Sequence, residues 1–99
     1  LLYNVPKFAA NVKFSVSAVK ALSVHPNITG MKDTGGASIF NFLANVGGDF
    51  SVLAGSSDYL LPAILVGASG GIVSIANSFP DICCRLYNAA KSGDLKEAG

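Results

Sequence analysis

One lysine stands where its chemistry would matter. Lys32 closes the short run Asn27-Ile28-Thr29-Gly30-Met31 and is followed by Asp33, Thr34 and the turn-forming pair Gly35-Gly36. Alternation along a strand points Gly30 and Lys32 to one face, and Thr29 and Met31 to the other. Burying a lysine at a strand end is costly unless its charge is paired or given up. A neutral amine attacks a carbonyl to form a Schiff base. The plain alternative is a surface lysine in a turn, since lysine is rarely buried. Other small or polar residues cluster at Tyr3-Asn4, at Gly55-Ser56-Ser57 and from Ser74 to Asn77.

The elements that must carry these clusters follow from the apolar pattern. Leu1 to Val5 reads as a buried strand closed by Pro6. Ser15 is placed to cap a helix that presents Val16, Val19 and Leu22 on one face and ends at His25-Pro26-Asn27. Ile28 to Lys32 is a second strand. Ile39, Phe42, Leu43 and Val46 follow at helical spacing, and Gly47-Gly48-Asp49 stops that helix. Phe50 to Ala54 is a third strand. Asp58 or Ser57 caps the next helix through Leu60, Ile64 and Leu65, which Gly67 closes. Gly71 to Ile75 is the fourth strand. Ser78 and Pro80 open a helix with Ile82, Leu86 and Ala89 that ends at Gly93, and Asp94 to Ala98 begins another element.

Strand–helix alternation repeated four times predicts an α/β fold with a parallel sheet. A closed (β/α)₈ barrel takes about 250 residues, so four units are half of one. In such barrels the chemistry sits where each strand hands over to its helix. Each polar cluster above lies at a handover, which favours the catalytic reading of Lys32 over the incidental one.

Composition narrows the function. The 99 residues are 51% hydrophobic and only 13% charged, with a mean hydropathy of +0.49, where soluble domains carry about 25% charged residues. No apolar stretch reaches the ~18 residues of a membrane span, so burial in an α/β core is the expectation and a membrane partner is not. The net charge of +1 and seven scattered basic residues argue against a nucleic-acid surface. Cys83 and Cys84 are adjacent, which indicates neither a disulfide framework nor a zinc site. Reduced thiols and an intracellular setting are expected. The chain opens on Leu1 with no charged leader, so no targeting segment is visible, and it reads as part of something longer.

Tyr3-Asn4-Val5-Pro6, His25-Pro26-Asn27-Ile28 and Gly30-Met31-Lys32-Asp33 together resemble the dihydrodipicolinate synthase and N-acetylneuraminate lyase family of Schiff-base aldolases. Leu53-Ala54-Gly55-Ser56, Gly67-Ala68 with Gly70-Gly71, and Ala76-Asn77 continue the likeness along nearly the whole chain. The resemblance implies strands five to eight of that family's barrel, without the Gly-Thr-Thr-type loop of the first half that grips the pyruvoyl carboxylate. Residues 1–99 would then be a partial barrel domain lacking its N-terminal half and a C-terminal extension.

The resemblance also implies roles. Lys32 would form the imine with pyruvate or a larger 2-oxo acid, and Tyr3 would relay protons, since a phenol both donates and accepts. Thr34, Gly55, Ser57 and Ser74 match positions that contact the rest of the substrate, and Val73 would offer a main-chain carbonyl near the imine. No metal or cofactor is implied. A homo-oligomer, a tetramer in the family, is expected, in the cytoplasm or the mitochondrion. Dihydrodipicolinate synthases usually follow Tyr-Asn-Val-Pro with an arginine-bearing run that holds a second carboxylate. Here Lys7-Phe8-Ala9-Ala10 puts Phe8 in that place, and an apolar ring cannot make a bidentate carboxylate contact. This turns the expectation towards cleavage of 4-hydroxy-2-oxoglutarate or 2-keto-3-deoxy sugar acids. Lys7 offers a charge one position away. A dihydrodipicolinate synthase-type condensation and a non-catalytic half barrel are the alternatives.

Overall fold

Parallel pairing sets the frame on which the polar clusters meet. The computed structural model describes residues 1–8, 10, 12–47 and 49–93, the side chain of Phe8 excepted. Four strands, β1 (Leu2–Asn4), β2 (Gly30–Asp33), β3 (Ser51–Ala54) and β4 (Gly70–Gly71), form one sheet in the order β1-β2-β3-β4. Every neighbouring pair is parallel. Between and after them run α1 (Val16–Leu22), α2 (Ser38–Asn45), α3 (Leu60–Leu65) and α4 (Pro80–Ser92). The chain is an α/β fold of four consecutive strand–helix units.

Side-chain alternation separates the two faces of the sheet. Met31 and Asp33 of β2 and Val52 and Ala54 of β3 are buried, while Lys32 and Leu53 between them are half-buried. The covered face packs on Val19 of α1, Ile39 and Phe42 of α2, and Leu60, Ala63 and Ile64 of α3. The Ile39 and Phe42 spacing that marks α2 in the sequence is the stripe it buries. Ser15 caps α1 by accepting the Ala18 N–H at 3.1 Å. Gly93 ends α4 in a left-handed conformation at φ +82°, which a residue without Cβ adopts freely. Among the described residues no helix is long and apolar enough to cross a membrane.

Several boundaries differ from the sequence expectation. β1 is covered on one face only rather than buried: Asn4 is 2% exposed and Leu2 packs against the core, whereas Tyr3 is 49% exposed and Leu1, just before the strand, 70%. Alternation puts Leu2 and Asn4 on the covered face and Tyr3 on the other. α1 stops at Leu22, because Ser23 already caps it and the His25 N–H turns back to the Leu22 carbonyl. β2 runs from Gly30 to Asp33, because its pairing partner Asn4 extends the ladder one residue past Lys32. The fourth strand is Gly70–Gly71, not Gly71 to Ile75. The Ala76 N–H bonds the Val73 carbonyl, and Ser74–Asn77 closes into a 3-10 turn.

The turn Ser57–Tyr59 before α3 is capped by Ser56, whose hydroxyl accepts the Asp58 N–H at 3.3 Å, and not by Ser57 or Asp58. Pro80 opens α4, but Ser78 does not cap it: its N–H donates to Ile75. Gly48, Ala9 and the element expected over Asp94 to Ala98 lie outside the described residues.

Tyr59 ties the β3–α3 connection to the end of β2, its hydroxyl donating to the Asp33 carbonyl at 2.6 Å. Burial, then the negative charge of Asp33, pushes its phenol above 10.0, against opposing backbone hydrogen bonds at Gly36 and Gly55. The folded state therefore keeps this proton at a pH where the unfolded chain loses it. Its contribution to stability is complete below pH ~10 and is lost as pH rises from there through the folded value. Urea unfolding of the longer protein expected from the sequence should show a shallower alkaline loss of stability in Tyr59→Phe. An identical alkaline slope in the two proteins would refute the coupling.

The isolated segment has a second expected behaviour. Within it β1 and β4 are sheet edges, and Leu1, Tyr3, Ile72, Ile75, Phe79 and Ile82 are all exposed. Unpaired edges and clustered apolar surface invite association. Size-exclusion chromatography of residues 1–99 alone should show oligomers or aggregate; a stable monomer would contradict this.

Candidate active site

Register brings the lysine and the tyrosine together. Tyr3 lies opposite Lys32 across the β1–β2 ladder, so both side chains leave the same face of the sheet. Lys32 Nζ donates to the Tyr3 hydroxyl at 3.2 Å and stands 4.4 Å from the centre of its ring. The amine thus touches a group that is both acceptor and donor. Asn4 and Asp33 are the next pair along the same ladder, and they point the other way.

That second pair is buried, at 2% and 0% exposure. Asn4 Nδ2 donates to Asp33 Oδ1 at 2.7 Å, and Asn4 Oδ1 accepts the Phe14 N–H at 3.1 Å. Asp33 Oδ1 also accepts the Gly35 N–H at 3.0 Å, and Oδ2 accepts the Ser38 hydroxyl at 2.7 Å. The main chain is held as firmly. The Asn4 carbonyl accepts both the N–H and the hydroxyl of Thr34, at 2.9 and 2.8 Å. The Asp33 carbonyl accepts the Gly55 N–H at 2.9 Å as well as the Tyr59 hydroxyl.

Thr34 and Gly55 complete the neighbourhood of the lysine. A Cβ at Gly55 would collide with the Thr34 methyl and lie 3.0 Å from the Asp33 carbonyl and 3.2 Å from Lys32 Cε. Glycine is favoured there because the chain leaving β3 passes against the Thr34 methyl and the Asp33 carbonyl, with the lysine stem alongside. Ser57 sits exposed at the start of the turn before α3. Val73 lines a separate cavity of about 430 Å³ with Gly70, Gly71, Cys83 and Tyr87, in whose walls neither Tyr3 nor Lys32 takes part. Its carbonyl accepts the Ala76 N–H, and Ser74 is exposed beside it. The structure joins Tyr3, Lys32, Thr34 and Gly55, while Ser57 and Ser74 are exposed and Val73 lines the cavity between β4 and α4.

The supporting residues Asn4, Asp33, Ser38 and Tyr59 escape a reading aimed at reactive groups. Two of them carried a signal. Asn4 and Asp33 each follow a candidate catalytic residue, and alternation alone sends their polar side chains to the covered face. A polar residue forced into a core must find partners. Nothing in the local sequence marks Ser38 or Tyr59.

Known proteins resemble this chain in sequence and in fold. The model of the dihydrodipicolinate synthetase family matches residues 1–99. A protein of Emericella nidulans named as a probable mitochondrial 4-hydroxy-2-oxoglutarate aldolase is 35% identical over 100 residues, covering 99% of this chain and 32% of its own length. A 4-hydroxy-tetrahydrodipicolinate synthase of Exiguobacterium is 32% identical over 100 residues, covering 99% and 34%. A prophage protein of Escherichia coli K12 from the dihydrodipicolinic acid synthase family, solved in complex with pyruvate, superposes with a TM-score of 0.90 at 32% identity, over 98% of this chain and 34% of that one. The chain spans about a third of the length of the relatives it matches. Likeness over its whole length, in sequence and in fold, shows that the chain belongs to the dihydrodipicolinate synthetase family.

Proposed function

We propose that this segment supplies strands five to eight of a (β/α)₈ barrel in a pyruvate-releasing class I aldolase, with Lys32 as the imine-forming residue and Tyr3 as the proton relay. The observation that carries the reading is the 3.2 Å contact between the Lys32 amine and the Tyr3 hydroxyl on the open face of the sheet. A relative solved with pyruvate and a relative named as a 4-hydroxy-2-oxoglutarate aldolase support the substrate class.

The chemistry uses both groups. The neutral Lys32 amine adds to C2 of the 2-oxo acid, and the carbinolamine loses water to give a protonated imine. Each step moves a proton over a distance that a phenol beside the nitrogen spans. Removal of the C4 hydroxyl proton then breaks the C3–C4 bond, and the electron pair moves into the iminium to leave an enamine and an aldehyde. Protonation at C3 and hydrolysis release pyruvate and the free amine. Phe8 stands where an arginine would hold a second carboxylate in a dihydrodipicolinate synthase, which turns the reading from condensation to cleavage of a 4-hydroxy-2-oxo acid.

Borohydride reduction in the presence of pyruvate should attach a stable label at Lys32 of the full-length protein. Undiminished labelling of Lys32→Ala would place the imine elsewhere. Tyr3→Phe keeps the ring and removes the hydroxyl, so the fold should hold while turnover falls by about 10²–10⁴-fold, the usual range for acid–base help. Unchanged turnover would reduce Tyr3 to a packing residue.

A further inference from the structure

We infer that Tyr59 is a positioning residue for the part of the substrate beyond the 2-oxo group, acting through Ser57: its hydroxyl holds the loop of residues 55–59 closed onto the end of the lysine strand. The inference rests on the imine-forming role proposed for Lys32. Both ends of this loop are fastened to one atom. The Asp33 carbonyl oxygen accepts the Gly55 N–H at 2.9 Å where the loop leaves β3, and the Tyr59 hydroxyl at 2.6 Å where it enters α3. Asp33 directly follows Lys32, so the anchor is tied to the lysine through one peptide bond.

The two fastenings do different work. The Gly55 bond continues the parallel β2–β3 ladder and belongs to the sheet. The Tyr59 bond is made by a side chain that reaches back across 26 residues, and the ladder does not require it. Between them the Ser56 hydroxyl accepts the Asp58 N–H at 3.3 Å, and the Leu60 N–H donates to the Ser57 carbonyl. These bonds lie within the loop; they shape the turn Ser57–Tyr59 but do not set its distance from β2. The Tyr59 hydroxyl sets that distance. Its ring packs against the core, and the phenol keeps its proton at neutral pH because burial, then the charge of Asp33, raises its pKa.

The sheet order puts Lys32 between Tyr3 on β1 and the loop that follows β3. Pyruvate ends at the carbon next to the imine carbon, whereas a 4-hydroxy-2-oxo acid continues beyond it with further polar groups. With Tyr3 serving the nitrogen, the loop is the wall for that longer chain, and Ser57 is the hydroxyl it offers. A positioning group displaced by about 1 Å costs on the order of 10²-fold in rate. The cost falls on a substrate that reaches the loop and spares one that stops short of it.

Borohydride trapping and cleavage kinetics on the full-length protein test this together. Tyr59→Phe keeps the ring in the core and removes the hydroxyl. It should lower kcat/KM for 4-hydroxy-2-oxoglutarate by roughly 10- to 10²-fold. The pyruvate concentration that half-saturates labelling at Lys32 should stay close to that of the parent. Ser57→Ala, an exposed change that leaves the phenol in place, should show the same selective loss. Adding Tyr59→Phe to it should cost less than about two-fold more, since residues that act as one are not additive. Unchanged cleavage in Tyr59→Phe, equal losses in trapping and cleavage, or independent losses for the two substitutions would overturn the positioning role and leave the imine standing. A parent protein without labelling at Lys32 would overturn the imine, and the inference with it.

Discussion

A carboxylate with no exposed surface organises this molecule. Asp33 is completely buried at the end of β2, where leaving water is expensive for a charged group. It is held there by the Asn4 amide, the Gly35 N–H and the Ser38 hydroxyl. A buried polar group must find partners, and the Asn4 and Ser38 contacts, both 2.7 Å, are the shortest of the three. Those donors come from β1, from the turn after β2 and from the first turn of α2, so one side chain sets the relation of three parts of the chain. No buried side-chain nitrogen or oxygen among the described residues is left without a partner.

The same arrangement explains why Tyr3 and Lys32 sit where they do. The two faces of a strand are separated by one residue, so burying Asn4 and Asp33 sends Tyr3 and Lys32 outward on adjacent strands. Parallel register then makes them neighbours, and the end of β3 has room to pass only because Gly55 has no side chain. A hydrogen-bonded covered face and an opposite face that carries the Tyr3–Lys32 pair are two consequences of one alternation.

Much of this was legible in the sequence. Repeated strand–helix alternation announces the parallel sheet, the Ile39–Phe42 spacing announces the buried stripe of α2, and Ser15 and Gly93 announce helix ends by their chemistry. What was not legible depends on contacts distant in the chain. The run Gly71 to Ile75 looks like a strand, yet the pairing ends after the Ile72 N–H and from Ser74 the backbone turns into 3-10 geometry. Leu1 to Val5 looks buried throughout because it is apolar, but only alternate residues meet the core, Leu2 and Asn4 doing so and Tyr3 not. Ser56, Ser57 and Asp58 are all good caps, and only backbone geometry selects Ser56. Lys32 was visible from its type and place and Tyr3 from the motif around it, whereas Tyr59 reaches Asp33 across 26 residues with no local mark.

The central claim is that the Lys32 amine and the Tyr3 hydroxyl form one reacting unit on the open face of the sheet. A crystal structure of the full-length protein treated with pyruvate tests it most directly. The account predicts continuous density from Lys32 Nζ to C2 of the ligand, with the Tyr3 hydroxyl within hydrogen-bond distance of the adduct. Pyruvate bound without a bond to Lys32, or an adduct that the Tyr3 hydroxyl does not reach, would contradict it.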